Sequence, residues 1–231
     1  MASQHPALDR HLPGGGWPCG ALTELLQTQG VQNEWRLLGP ALAAQVALGG
    51  TVLLIGPPWH PHLPGLRRHG LTEKHVVWVE AVSMAERLWA LEQALKANPV
   101  GGIVAWLPQA VPQQMRRLQV CAARCDGPVF VCRPAAAQLE SSAAPLRLLM
   151  RPAADGAMAL GILKRRGPPH EGTITLSALP AALNRVLTHR LGRPQGAPVP
   201  MPLPLPLSNS EETLHAPMVG PVPAGVPGAS R

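Results

Sequence analysis

Residues 14–45, GGGWPCGALTELLQTQGVQNEWRLLGPALAAQ, have the layout of a phosphate-binding loop. Glycines lead into a short apolar run, a turn follows, and then a segment rich in Ala and Leu. A working loop of this kind reads GxxxxGK[ST]. Its backbone N–H groups cradle phosphate, its lysine neutralises the β/γ charge, and its hydroxyl holds Mg²⁺. After TELL this chain offers QTQGVQNEW. Gly30 remains as a turn residue, but Asn33 and Glu34 stand about where the lysine and the hydroxyl belong. A carboxylate there repels phosphate. At the first turn of a helix it is instead a sound structural device, since it meets free N–H groups and the positive end of the dipole. Gly39–Pro40 further along should kink that helix or delay its start.

Two more positions complete the chemistry, and both depart from it. The run GGIVAWL should end in a carboxylate that orients the metal's water, and it carries Trp106. After TVLLIG, where a catalytic carboxylate is expected, the chain reads PPWHPH. His60 and His62 raise the idea of a metal site, but between prolines, with no acidic or Cys ligand nearby, such histidines are more often solvated. Cys121 and Cys125 sit one helical turn apart, yet with Cys19 and Cys132 they form no CxxC pair, and buried free thiols are the better reading. The expectation is a retained nucleotide-binding layout without catalysis, cofactor or metal.

The elements that carry these residues alternate between two periods. Residues 21–26, 51–56, 75–80, 101–107 and 128–133 are continuous apolar runs, as in strands covered on both faces. Between them, Met84, Leu88, Leu91 and Leu95 form one helical stripe, opened by a Ser83/Glu86 capping box and stopped by Asn98–Pro99. Met115, Leu118, Ala122 and Cys125 form a second stripe, whose outer face carries Arg116, Arg117 and Arg124. Such alternation means an α/β domain with a mainly parallel sheet between helices. Residues 145–151 and 157–164 then read as an antiparallel hairpin around AADG, with a further strand at 172–177 and a last short helix at 179–191.

Composition sets the outer limits. The chain has 231 residues, 46% of them hydrophobic, and no apolar run long enough to span a bilayer. Its N-terminus lacks the basic and apolar regions of a secretion signal, so a cytoplasmic location is expected. The net charge is +7, and from Pro194 onward the only charged side chains are Glu211, Glu212 and Arg231. The positive excess therefore lies in the body, which suits a polyanion or an acidic protein as neighbour. Residues 193–231 are proline-rich, with no strand or helix period, and read as a disordered tail beyond a domain of residues 1–192.

Together, LPGGGWPCGALTELL, WRLLGPALA, ALEQALKA, GGIVAWLP, MRRLQVCA and LGILKRRG resemble, in order, the ImuA family of RecA-like translesion-synthesis accessory proteins. The resemblance covers about residues 5–168, and SulA-type division inhibitors are similar to the same lineage. It implies a RecA-like core with a degenerate loop. It also implies a binding role in a damage-induced mutagenic complex with an ImuB-type Y-family-like protein, a DnaE-type error-prone polymerase and, as a further candidate, RecA. The alternative from another class is an inhibitor that binds FtsZ as SulA does. Lys164, Arg165 and Arg166 fall where RecA-like proteins place basic residues that reach a neighbour's nucleotide. Here they could meet DNA, an acidic partner or only water, as could Arg116, Arg117 and Arg124.

Truncation after Gly192 is expected to leave the melting transition and circular dichroism of the body unchanged, because nothing in the tail's composition can build a core. A clear loss of thermal stability would place the domain boundary further along the chain.

Overall fold

Among the described residues, eight strands form one sheet in the order β3-β2-β4-β5-β1-β6-β7-β8. The computed structural model describes residues 1–28, 33–98 and 101–177; the helix expected at 179–191 and the tail lie outside these. The strands are β1 Leu22–Gln27, β2 Thr51–Ile55, β3 Val76–Val79, β4 Gly101–Trp106, β5 Val129–Pro134, β6 Leu146–Pro152, β7 Met158–Lys164 and β8 Thr173–Leu176. Every neighbouring pair from β3 to β6 is parallel, and β7 runs antiparallel to both β6 and β8. The protein is thus an α/β fold with a mainly parallel sheet and an antiparallel C-terminal extension. Each strand coincides with a run expected from the sequence, within a residue or two at each end.

Helices cover both faces. Leu37, Leu38, Ala41 and Leu42 of α2 (Glu34–Ala47) pack with Leu25, Leu54, Val104, Phe130 and Leu148 of the sheet. Leu8 of α1 (Pro6–Asp9) and Leu66 of α3 (Leu63–Arg68) join the same cluster. On the other face, Leu88, Leu91 and Leu95 of α4 (Met84–Ala97) and Met115, Leu118 and Ala122 of α5 (Pro112–Ala122) meet Leu22, Ile55, Ile103, Val129 and Val131. The two stripes expected from the sequence are these inward faces.

Local chemistry explains the boundaries. Ser83 Oγ accepts from the Glu86 N–H at 3.2 Å and Glu86 Oε2 from the Ser83 N–H at 2.8 Å, the reciprocal box that starts α4. Asn98 ends α4 in the left-handed conformation, φ 47°. The β6–β7 hairpin turns through a 3₁₀ turn at Ala154–Gly156, where Gly156 takes φ 69°. Two expectations change. First, α2 is not delayed by Gly39–Pro40: it begins at Glu34 and Pro40 lies within it. Burial of Leu37, Leu38, Ala41 and Leu42 on either side of the proline holds the helix where propensity would break it. Second, the segment around His60 and His62 is not only a loop. His62 Nδ1 accepts from the Gly65 N–H at 3.2 Å and caps α3, which is too short to show a period in the sequence.

The centre of the sheet holds charge. Glu24 of β1 is fully buried between Arg133 of β5 and Arg147 of β6. Arg133 donates to Glu24 Oε1 at 2.8 Å, and Arg147 Nε to Glu24 Oε2 at 2.6 Å. The register sets Arg147 directly opposite Glu24, while Arg133 lies opposite Leu26, two residues further on the same face. The remaining guanidinium donors hold the connection from β5 to β6. Arg133 reaches the Ala110 carbonyl and the Glu140 carboxylate, and Arg147 reaches the Ala137 and Glu140 carbonyls. That connection carries only a 3₁₀ turn, Ala135–Leu139, and Ala137 packs in a small cluster with Leu26 and Leu149.

Removing one member of a buried ion network leaves its partners uncompensated, and Glu24→Ala should cost ~3–5 kcal/mol in urea unfolding. Arg67 and Glu73 form a solvent-exposed pair, and Glu73→Ala should cost at most ~1 kcal/mol. Equal losses from the two substitutions would show that the buried network has no special weight.

Candidate functional site

Ligands of open α/β sheets bind beyond the carboxyl ends of the parallel strands, where successive connections leave toward opposite faces. Here α2, after β1, lies on one face, while α4 and α5 lie on the other. At this end of the sheet a cleft of about 210 Å³ is lined by Glu34, Trp35, Trp59, His60, His69 and Trp106, among others. The sequence places a phosphate loop before α2. Its residues 29–32, Gly30 among them, lie outside the described residues, but both flanks are defined.

Asn33 is buried at the N-terminus of α2, and its side chain makes no capping hydrogen bond. Glu34, the first residue of that helix, is 1% exposed. Its Oε2 accepts from Gln27 Nε2 at 2.8 Å, so one hydrogen bond joins the last residue of β1 to the first of α2. Trp106 ends β4 and is buried against the same place, its ring 6.1 Å from that of Trp35. Burial raises the Glu34 pKa above the usual carboxylate range, opposed by the hydrogen bond from Gln27, by the residue's own N–H and by the nearby Trp106 indole. The buried indole N–H has no hydrogen-bond partner among the described residues.

The surrounding groups share this desolvated character. Cys132, fully enclosed in β5, has its thiol pKa pushed well up by burial and then by the charge of Glu34. Burial lowers the pKa of His69 and favours its neutral form. Arg87 of α4 donates to the Trp106 carbonyl at 3.1 Å and to the Ala81 carbonyl at 3.0 Å. A side chain at Gly56, φ 58°, would collide with that arginine, so the end of β2 and Arg87 are fitted to each other. His60 stands edge-on to Trp78 at 4.6 Å. Among the described residues no group of three or more His, Cys, Asp or Glu could hold a metal. The four cysteines are free thiols.

The basic residues lie elsewhere. Arg116, Arg117 and Arg124 are exposed on and just after α5, and Arg117 pairs with Glu92 of α4. Lys164 Nζ donates to the Ser142 carbonyl at 2.8 Å, and Arg165 to the Pro168 and His11 carbonyls. Arg166 lines a second cleft with Pro18, Cys19 and Ala21. The same segment meets the residues flanking Arg124, since the Gly20 N–H donates to the Cys125 carbonyl at 2.9 Å. The fold therefore brings Arg124 and Arg166 to the two sides of residues 18–21, at the amino ends of β1 and β5. Arg116 and Arg117 stay on the helix flank, and Lys164 and Arg165 are engaged with backbone carbonyls. The six do not form one continuous cluster.

No protein-family model matches this chain, and a search of curated proteins finds no significant relative.

A carboxyl whose pKa is raised by folding binds protons more tightly in the native state. Its contribution is complete below the ordinary carboxylate pKa and is lost as pH rises through the raised value. Glu34→Gln keeps an acceptor for Gln27 and removes the buried charge. The variant is expected to melt higher than the parent at neutral pH, with the gap closing as pH falls toward the ordinary carboxylate range. A gap that is constant with pH would mean that Glu34 is not held in a desolvating site.

Proposed function

We propose that this chain is a non-catalytic accessory protein of a damage-induced translesion-synthesis complex. In this reading it works with an ImuB-type Y-family-like partner and a DnaE-type error-prone polymerase, with RecA and DNA as further candidate contacts, in the cytoplasm. Among the described residues no helix is long and apolar enough to cross a membrane, which agrees with that setting.

One observation carries the proposal. Beyond the carboxyl ends of the parallel strands, Glu34 and Trp106, which the sequence sets in place of phosphate-binding and metal-orienting residues, are both buried. Phosphoryl transfer depends on positive charge and preorganised donors around the γ-phosphate. Glu34 supplies the opposite charge, and Trp106 brings a bulky apolar group to the end of β4. What the body offers to partners is its surface. Its basic residues at the amino ends of the strands and along α5 suit a polyanion or an acidic protein. The order of residue runs that resemble the ImuA family supplies the identity of the partners, and the eight-stranded α/β architecture agrees with it.

The test is reconstitution of the full chain with an ImuB-type protein and a DnaE-type polymerase. The expected result is co-elution with the ImuB-type partner, together with ATP turnover in Mg²⁺ no higher than a buffer blank. Replacing Arg116, Arg117, Arg124, Lys164, Arg165 and Arg166 by Ala should weaken partner or single-stranded DNA binding while the fold survives. Salt separates the two partners. Several phosphate contacts would lose about an order of magnitude in affinity or more between low and moderate salt, whereas a mainly apolar protein interface would change less. Robust ATP hydrolysis that disappears on Glu34→Ala would overturn the reading. Binding to FtsZ in place of the ImuB-type protein would replace it with the division-inhibitor alternative.

A further inference from the structure

Two buried glutamates of this chain stand in unlike surroundings. Glu24 has two arginines on its carboxylate. Glu34 is buried as deeply, yet among the described residues its carboxyl has no lysine or arginine partner and accepts from the neutral amide of Gln27. The N–H groups and the positive dipole end of α2 offset part of that burial. The carboxyl still titrates above its ordinary range, so the compensation is incomplete. An ionisable group left in this condition inside a cleft is a mark of a binding site.

The cleft around Glu34 suits a small, flat cation. Its volume of about 210 Å³ lies below the ~300–1,000 Å³ of pockets that hold drug-sized ligands, so it admits a side chain or a small molecule. Trp35, Trp59 and Trp106 bring three indoles to it. The rings of Trp35 and Trp106 are 6.1 Å apart and tilted by 47°, so neither covers the other's face. Trp59 is 65% exposed, which leaves most of its indole free. Indole faces attract cations through the ring quadrupole, most strongly where water is excluded. Little positive charge competes there. Among the described residues the lining has no lysine or arginine, and Arg87 lines the neighbouring cleft, held by the Ala81 and Trp106 carbonyls. Burial favours the neutral form of His69. His62 Nδ1 accepts from the Gly65 N–H, so that nitrogen carries no proton.

We propose that this cleft binds a guanidinium group, with Glu34 as its counter-ion and the indoles of Trp35 and Trp59 as its walls. Among cations a guanidinium fits these groups best. Its planar fork matches a carboxylate, it stacks on aromatic faces, and it gives up water more readily than an ammonium. Such a ligand completes Glu34 from outside as Arg133 and Arg147 complete Glu24 from within. The same chemistry is carried by an arginine side chain of a partner protein and by a small guanidino compound. The site does not depend on which complex the chain joins.

The probes are ethylguanidine and the tripeptide acetyl-Gly-Arg-Gly-amide, each titrated into the full chain with its six tryptophan indoles isotope-labelled for magnetic resonance. The indole signals of Trp35 and Trp59 should shift together and saturate with a Kd of about 1 mM or tighter, while those of Trp17 and Trp89, outside the cleft, stay in place. Glu34→Gln keeps the shape and removes the counter-ion, and it should weaken binding about tenfold or more, with circular dichroism unchanged. Trp59→Ala should weaken it about threefold. Glu171→Gln, at an exposed acid outside the cleft, should bind as the parent does. The citrulline analogue of the tripeptide, of equal shape but uncharged, should not bind measurably. Tighter binding of the tripeptide assigns the site to a partner's arginine, and binding of ethylguanidine as tight or tighter assigns it to a small guanidino compound. Absence of saturable binding by both probes, equal binding of the citrulline analogue, affinity unchanged in Glu34→Gln, or shifts spread evenly over all the indoles would each overturn the proposal.

Discussion

A single carboxylate at the centre of the sheet has to satisfy two arginines, and much of the architecture follows from that requirement. Glu24 on β1 accepts from Arg133 on β5 and Arg147 on β6, so three adjacent strands share one ionic cluster. Parallel pairing of β6 with β1 needs a crossover, and such crossovers are usually anchored by the apolar face of a helix. Here the crossover has only a short 3₁₀ turn, and guanidinium groups grip its carbonyls instead. Charged hydrogen bonds do what a helix stripe does elsewhere. They also tie the start of α5, through the Ala110 carbonyl, to the same point.

This arrangement divides the molecule by polarity. Beyond the carboxyl ends of the strands the groups are desolvated and acidic or aromatic: Glu34, Trp35, Trp106 and a neutral-leaning His69. Toward the amino ends, Arg124 and Arg166 remain on either side of residues 18–21. A phosphate-binding fold concentrates positive potential at the first of these ends. In this chain the lining of the cleft at the first end carries Glu34, Trp35 and Trp106 and, among the described residues, no lysine or arginine.

Much of the fold was legible in the sequence. The five apolar runs, the hairpin around AADG, the capping box at Ser83 and Glu86, and the stripe of Met115, Leu118 and Ala122 are local signals, and local signals survive folding. α2 starts at Glu34, the helix N-terminus expected for that carboxylate, and no delay follows from Pro40 because the residues on both sides of it are buried. α3 was missed because a six-residue helix shows no period, and its cap is a histidine. The buried network left a trace that could have been used. Glu24, Arg133 and Arg147 each stand inside an otherwise apolar run, and strands covered on both faces do not carry charges without partners. Their pairing was beyond sequence reading, since it depends on strand order. At the candidate site, Glu34 and Trp106 were found from the departures they make from a known pattern. The six basic residues were found by their charge alone, which says nothing of the carbonyl contacts that occupy Lys164 and Arg165.

The hydrogen bond from Gln27 to Glu34 fastens the end of β1 to the beginning of α2. In a nucleotide-binding protein the ligand itself bears part of the cost of ordering the connection between those two elements. Here one side-chain hydrogen bond joins the two ends of that connection directly. Once its ends are held, a loop becomes thermodynamically insensitive to its length, each doubling costing only about 0.6 kcal/mol. That hydrogen bond links the end of β1 to the start of α2 by a path that does not run through the residues between them.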